Sequence, residues 1–342
     1  MDIKLGVGIH WLPGISYRDL ANHIEEVEDL GYEQIWVSNE KFFHDMYVMA
    51  TVAAEHTSKI KIGTFVADPY THHPALTAMA VGSLDEVSEG RAILGMGAGG
   101  TGFPVMGIKR TKPALAIKEA VQVIRRLWAG ETVDFEGEII KVRNGRLNFK
   151  ARPNIAVVIA TRGDLVLQTA GEIADAAMIA TYAEPVGIRH ALSMIEKGAM
   201  RQGRTIEDIK IISRVDACIN PDRRLAFDAV KPMVGVFLWT SYPDRKFVTQ
   251  VGLEVPAELE EIIAKRDYNL MAPNAHLIPD EFVKKLCWAG TAEDVAQQVA
   301  EVVRMGIEDI TFLPHPIAGG DTSETVREFA RTVKPMVQEM VG

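Results

Sequence analysis

Hydrophobic positions along the chain follow two alternating periods. Short β-branched runs, the pattern of buried strands, are followed by stretches in which apolar residues recur every three to four positions, the pattern of amphipathic helices. The run IKLGVGI over 3–9 predicts a first strand, and Leu20, Ile24, Val27 and Leu30 predict a helix over 18–30 that Gly31 ends. EQIWV over 33–37 predicts a second strand, 46–55 a helix, and KIKIGTFV over 59–66 a third strand. Pro74 opens a helix that runs to Val87, and 91–94 leads into the glycine-rich end of a fourth strand. A helix over 113–128 has Ile117, Val121, Ile124 and Trp128 on one face. The alternation then breaks: 132–149 holds two extended runs and an Asn144-Gly145 pair, which predicts a hairpin with its turn there. It resumes with strands near 156–159, 176–179, 209–215 and 310–312 and helices near 165–171, 186–202, 225–236, 295–305 and 323–340. Two helix-to-strand junctions resemble each other, LGYEQI at 30–35 and MGIEDI at 305–310.

Eight strand–helix units joined by right-handed crossovers close into a barrel or spread into an open doubly wound sheet, and the count of eight favours the (β/α)8 TIM barrel. A barrel of this type takes about 250 residues. The excess in this 342-residue chain falls in a hairpin insertion at about 131–150, in the loop after the fourth strand, and in 240–286. That last segment carries Pro243, Pro256, Pro273 and Pro279, breaks the rhythm, and predicts a lid-like insertion in a single barrel domain.

Composition adds exclusions. With 47% hydrophobic and 24% charged residues the chain is globular, and with only 12 Phe, 5 Trp and 7 Tyr its core must be aliphatic, as parallel barrel strands require. A net charge of −9 offers no footprint for nucleic acid. Cys218 and Cys287 are far apart and outside any CxxC, which disfavours a disulfide scaffold or a thiolate zinc site. No run of about 18 apolar residues predicts a membrane span, and the first residues do not form a signal peptide, so a cytoplasmic protein is expected.

In this fold chemistry sits at the C-terminal ends of the strands. Those ends are His10 and Trp11; Ser38, Asn39 and Glu40; Phe65, Val66, Ala67 and Asp68; Gly97, Ala98, Gly99 and Gly100; Thr161, Arg162 and Gly163; Thr181 and Tyr182; Pro314 and His315. The run GMGAGG over 95–100 can bare backbone N–H groups to a ligand or simply form a tight turn. A dinucleotide fingerprint fits poorly, because the acidic residue downstream, Glu119, falls in mid-helix. Thr161-Arg162-Gly163 opens a helix, whose free N–H groups bind phosphate or are merely capped. Two such places together point to an anionic cofactor. Lys109, Arg110 and Lys112 then read either as an anchor for a polyanionic tail or as a solvated helix start. Neither His72-His73 nor His44-Asp45 has a carboxylate cluster spaced to complete a metal site, and no metal is expected. No nucleophile elbow or phosphate-loop motif is present.

The run DPYTHHPA over 68–75, SLDEVSEGR over 83–91 and GMGAG over 95–99 together resemble the luciferase-like monooxygenase superfamily. They are closest to its branch of methylene-tetrahydromethanopterin reductase and other coenzyme F420 enzymes. Trp36-Val37-Ser38, Trp128-Ala129-Gly130, Phe135-Glu136-Gly137, 170–175 and 289–295 fit as well, so the resemblance covers nearly the whole chain. It implies a barrel with an insertion, a homodimer or larger homo-oligomer, and F420 or, as the alternative, FMN in the barrel mouth beside a small-molecule substrate. It also implies a non-prolyl cis peptide in the bulge of the third strand, which by position is Phe65–Val66. The cofactor contacts it implies are Ser38, Phe65, Val66 and Ala67, with phosphates on Gly97, Ala98, Gly99, Thr161, Arg162 and Gly163. Asn39 would hold ring or substrate, and Glu40 would serve as acid or base. Relatives often have Asp-His where this chain has Asn39-Glu40, and Gly8 and Gly100 stand where the pterin reductase has acidic residues. Those departures leave the substrate open. They leave three functions to compare: F420-dependent hydride transfer, reduced-FMN monooxygenation, and a non-catalytic flavin-binding barrel.

Overall fold

The computed structural model describes residues 2–10 and 14–342. Eleven strands are present among them: β1 Lys4–Ile9, β2 Gln34–Ser38, β3 Lys61–Phe65, β4 Ala92–Met96, β5 Val133–Glu136, β6 Lys141–Gly145, β7 Ala156–Thr161, β8 Ala176–Ala180, β9 Lys210–Ile219, β10 Cys287–Gly290 and β11 Asp309–Pro314. Eight of them are hydrogen-bonded in the order β9-β11-β1-β2-β3-β4-β7-β8, and a β8–β9 pairing closes the ring. With helices between successive strands this is the expected (β/α)8 barrel. β2, β4, β8 and β11 are buried along their whole length. A parallel strand with side chains on the barrel axis at one face and helices on the other has no wet side, which is why these segments read as continuous aliphatic runs.

The chain divides into two compact units. The first, Gly8–Met178 with Ser193–Lys210, carries β2 to β7. Its helices start where capping residues allow: Ser16 and Asp19 form a capping box for Tyr17–Asp29, and Asp45 accepts from the Tyr47 and Val48 N–H groups to open Met46–Glu55. The Arg91 guanidinium donates to the Ala54, Thr57, Ile60 and Ser88 carbonyls, so it ties the end of helix Met46–Glu55 to the edge of β4. This gives the SEGR segment over 88–91 a structural task.

The hairpin β5–β6 is antiparallel as expected, but its turn is not at Asn144-Gly145. That pair ends β6, and the turn lies over 137–140. Glu119, from the helix Pro113–Trp128, explains the choice: its carboxylate accepts from the N–H groups of Glu138, Ile139 and Ile140 at 2.9, 2.9 and 2.8 Å. A carboxylate that satisfies three turn donors outweighs a local turn propensity. Burial pushes the Glu119 carboxyl up, yet the three N–H donors bring it below its ordinary value of 4.5. Its folded form therefore prefers the anion more than its unfolded form does, and the stability it contributes is present above about pH 4.5 and lost as pH falls through the lower folded value. Glu119→Gln is expected to cost about 2–3 kcal/mol at pH 7. Urea unfolding at pH 7 and pH 4 should show the gap between wild type and variant narrowing in acid.

The second unit, Met1–Val7 with Ile179–Leu192 and Ile211–Gly342, holds β9 to β11. Segment 240–286 is well packed rather than irregular. Thr240 and Ser241 still belong to the helix Arg223–Ser241, and short helices follow at Lys246–Thr249, Ala257–Ala264 and Asp280–Leu286. Phe247, Val248, Leu259, Ile263, Ile278 and Phe282 are buried in it, and Arg245 grips the Glu260 carboxylate through Nε and Nη2 at 3.1 and 2.9 Å. Strand β10 was not anticipated, and it pairs with the last four residues of β9. The C-terminal helix runs as expected but contains a π-turn at Phe329–Val333, just before Pro335, whose missing N–H cannot continue the regular ladder. The two similar junctions are alike in structure: Gly31 and Gly306 have φ of 79° and 86°, and the carbonyls of Glu33 and Glu308 accept from Lys61 and Lys4.

Candidate active site

The ends of β2, β3, β4 and β7 lie in one unit and bring most of the expected residues together. β3 leaves its ladder with β4 after Gly63, and Thr64 bridges the gap: its Oγ donates to the Gly95 carbonyl at 2.8 Å and accepts from the Gly95 N–H at 2.9 Å. The Phe65–Val66 peptide that follows is cis, as the resemblance implied. Ala67 then returns to β4, donating to Gly95 and accepting from Gly97 at 2.9 and 3.0 Å. The resulting bulge is held from the β2 side by Asn39, whose backbone N–H donates to the Phe65 carbonyl and whose Nδ2 donates to the Val66 carbonyl, both at 2.9 Å. Asn39 therefore supports the wall of the site, and its amide N–H is committed to that wall.

Glu40 accepts from the Thr101 hydroxyl through Oε2 at 2.7 Å, which joins the loop after β2 to the loop after β4. Its other carboxylate oxygen has no protein partner among the described residues. Lys41 beside it is buried against Asp68, with Nζ 3.0 Å from Oδ2 and 3.2 Å from the Thr71 hydroxyl. Asp68 has no exposed surface and also accepts from the N–H groups of Tyr70 and Thr71 and from the Thr71 hydroxyl. Lys41 and Thr101 were not among the expected site residues, and Asp68 was expected only as the end of the third strand, with no role. The only local trace is the Asp-Pro-Tyr-Thr run, a turn whose first side chain accepts from the backbone two residues on.

The glycine segment is shaped by lack of space. A Cβ at Gly97 would lie 2.9 Å from both the Ala160 carbonyl oxygen and the Val66 side chain, so the backbone there is bare by necessity. Arg110 donates to the Gly99 carbonyl at 2.9 Å and Tyr70 donates to the Thr111 carbonyl at 2.7 Å, which pins the loop after β4 at two points. Burial pushes the Tyr70 phenol up to about 12 against the opposing pull of Arg110, so it acts as a neutral donor. Of the other two cations in that cluster, Lys112 is paired with Glu138, and Lys109 is exposed.

At the end of β7 the Gly163 N–H donates to the Thr161 hydroxyl at 3.0 Å, and the ten-residue helix Asp164–Ile173 has no side-chain cap at its start. Ser38 is buried with its hydroxyl unpartnered among the described residues. An uncapped helix start, a bared glycine backbone and an orphaned hydroxyl are the features that an anionic, hydrogen-bonding cofactor would satisfy.

The remaining expectations resolve separately. His73 caps the helix Pro74–Val87 through Nδ1, and His72 packs edge-on to Tyr47. Thr181, Tyr182 and His315 belong to the other unit, and Tyr182 is hydrogen-bonded to Gln250. Trp11 lies outside the described residues. Both cysteines are free and buried, with burial raising the Cys218 thiol to about 11.

Comparison with known proteins places this geometry in a family. The chain is 29% identical to the 5,10-methylenetetrahydromethanopterin reductase of Archaeoglobus fulgidus, over 97% of this chain and 99% of that one. It is 30% identical to the reductase of the same name from Methanolobus tindarius, over 89% and 92%. The solved structure of the coenzyme F420-dependent tetrahydromethanopterin reductase from Methanopyrus kandleri matches with a TM-score of 0.82 and 26% identity, over 98% of this chain and 99% of that one. The model of the luciferase-like monooxygenase family matches residues 4–309, and the chain belongs to that family.

Proposed function

We propose that the protein is an oxidoreductase that moves a hydride between coenzyme F420 and a small organic molecule. The observation that carries the reading is the bared backbone at Gly97 beside the Phe65–Ala67 bulge, in a chain of this family. When bound, F420 supplies a hydride-carrying carbon where a flavin has nitrogen, and so reacts poorly with oxygen.

The roles of the residues follow from their contacts. The backbone of Phe65, Val66 and Ala67 backs the ring, and Asn39 keeps that wall in place. The backbone at Gly97, Ala98 and Gly99 and at Thr161, Arg162 and Gly163 receives the phosphate-bearing part, with the Gly97 N–H held by Ala67 and the Gly163 N–H by the Thr161 hydroxyl, and the Ser38 hydroxyl, unpartnered among the described residues, gains a partner. Glu40, fixed through one oxygen and without a partner at the other among the described residues, handles the proton traffic of the cofactor ring. We read the chain as one barrel domain with a lid-like insertion at about 240–286. We also read it as a cytoplasmic homo-oligomer. Val48, Leu76 and Met79 are 55, 51 and 46% exposed on the helices Met46–Glu55 and Pro74–Val87, and burial of such side chains against a second copy would be favourable.

The test is co-purification from a host that makes both F420 and FMN. The protein is expected to carry F420, identified by absorbance and mass. Bound FMN would instead support the monooxygenase reading that the family description suggests.

A further inference from the structure

The loops after β2 and β4 carry apolar surface that the cofactor reading leaves without a task. Phe42, Phe43, Val105 and Met106 are 72, 48, 78 and 38% exposed. Scattered singly, such side chains would need no explanation. These lie on two loops of one unit that are stitched together beside Glu40. A Cβ at Gly102 would collide with the Lys41 Cβ and lie 3.5 Å from the Phe42 ring, so Phe42 sits over the start of the β4 loop. The Met106 N–H donates to the Gly102 carbonyl at 3.1 Å and the Ile108 N–H to the Phe103 carbonyl at 2.9 Å, which folds the tip of that loop back toward Gly102.

Phe42 is displayed at a cost. The Phe43 N–H donates to the Glu40 carbonyl at 3.2 Å and closes a turn in which Phe42 is the third residue, with φ of 69°. That position suits Gly or Asn, and a bulky side chain there is strained. Folding gains nothing from holding a strained phenyl ring in water, so the ring points to a ligand. The charges beside it are one-sided. Segment 97–112 holds three cations and no carboxylate, in a chain of net charge −9. Lys112 is paired with Glu138, whereas Lys109, directly after the folded tip, is exposed and has no carboxylate partner among the described residues. Arg110 ties this stretch to the glycine segment through the Gly99 carbonyl.

The size of the patch chooses among occupants. Four side chains expose a few hundred Å², well short of the about 800 Å² per partner that a stable dimer buries, and suited to a small molecule. Phenyl faces stack on flat rings, a methionine sulfur packs at ring edges, and an unpaired ammonium calls for an anion. We propose that this rim is the specificity surface of the enzyme and that the substrate is an aromatic carboxylate or similar flat anion. Its rings pack on Phe42, Phe43, Val105 and Met106, and its charge pairs with Lys109. This rests on the hydride-transfer reading above, because the rim holds the part of the substrate that does not react.

The probe is naphthalene-2-carboxylate, titrated calorimetrically into F420-loaded wild type, with naphthalene-2-methanol and acetate as its neutral and ring-free counterparts. Saturable binding of the probe at least about tenfold tighter than that of either counterpart is expected. Phe42→Asn gives the turn a residue it favours, so it should resist urea at least as well as wild type and yet bind the probe about tenfold more weakly. Lys109→Ala should remove the preference for the probe over its neutral counterpart. Unchanged probe affinity in Phe42→Asn, or no probe binding by a wild type that binds F420, overturns this proposal alone. So does a rim with another occupant, seen as a wild-type dimer that Val105→Ser dissociates or as sedimentation with phosphatidylglycerol vesicles that Val105→Ser abolishes. A wild type with no affinity for F420 overturns the hydride-transfer reading, and a substrate rim with it.

Discussion

Alanine at position 95 is expected to cost about 3 kcal/mol or more, the upper end of what overpacking does to a closed core. The new Cβ would stand 1.9 Å from the Thr64 carbonyl oxygen and 3.1 Å from the Trp36 ring. The first of these is backbone and cannot rotate away. β3 and β4 would have to separate where the Thr64 hydroxyl makes both of its hydrogen bonds to Gly95, so those bonds go with the separation. Because Ala67 also donates to the Gly95 carbonyl, the shift passes to the Phe65–Ala67 bulge, and if that bulge backs the cofactor as proposed, F420 affinity should fall together with stability. Gly163→Ala is the control: its Cβ would meet only the Thr161 hydroxyl at 3.8 Å, and it should change stability by less than about 1 kcal/mol. Denaturant unfolding of the two variants beside wild type checks the contrast, and equal losses would contradict it.

Asp68→Ala is expected to cost about 3–5 kcal/mol, the scale for removing one partner of a buried ion pair. It leaves the Lys41 ammonium, whose side chain is only 10% exposed, without its carboxylate, and it strips the Tyr70 and Thr71 N–H groups of their acceptor. Lys41→Met removes the other partner but leaves Asp68 three donors, so it should cost about 1–2 kcal/mol. The double variant should be more stable than the sum of the two losses predicts, since the charge that Asp68→Ala strands is gone. Strict additivity in a double-mutant cycle would contradict the pairing. Lys41 adjoins Glu40, so Asp68→Ala should also loosen the Glu40–Thr101 contact and weaken cofactor binding.

The barrel was legible because burial on both faces writes itself into consecutive residues, as in IWV of β2 and AILGM of β4. The glycine segment and the helix start at Gly163 were legible for a similar reason: the demand for bare backbone is local. What stayed hidden is pairing across the chain. Asn39 meets Val66 over 27 positions, Glu40 meets Thr101 over 61, and His315 meets Asp216 over 99. No window of sequence holds both partners. Glu119 is a related case: it was read only as a mid-helix residue, and the turn that folds over it and buries it lies 19 to 21 positions further on. Asn144-Gly145 misled in the opposite sense, since a strong local turn signal was overruled by the carboxylate that holds the turn over 137–140. β10, only four residues long, was too short to show a period.

The account stands or falls on which cofactor the cradle accepts. The direct measurement is a fluorescence titration of cofactor-free wild-type protein with F420 and, separately, with FMN. Saturable binding of F420 at least about tenfold tighter than that of FMN, a difference of some 1.4 kcal/mol, is the predicted result. Tight FMN binding with no measurable affinity for F420 would contradict it.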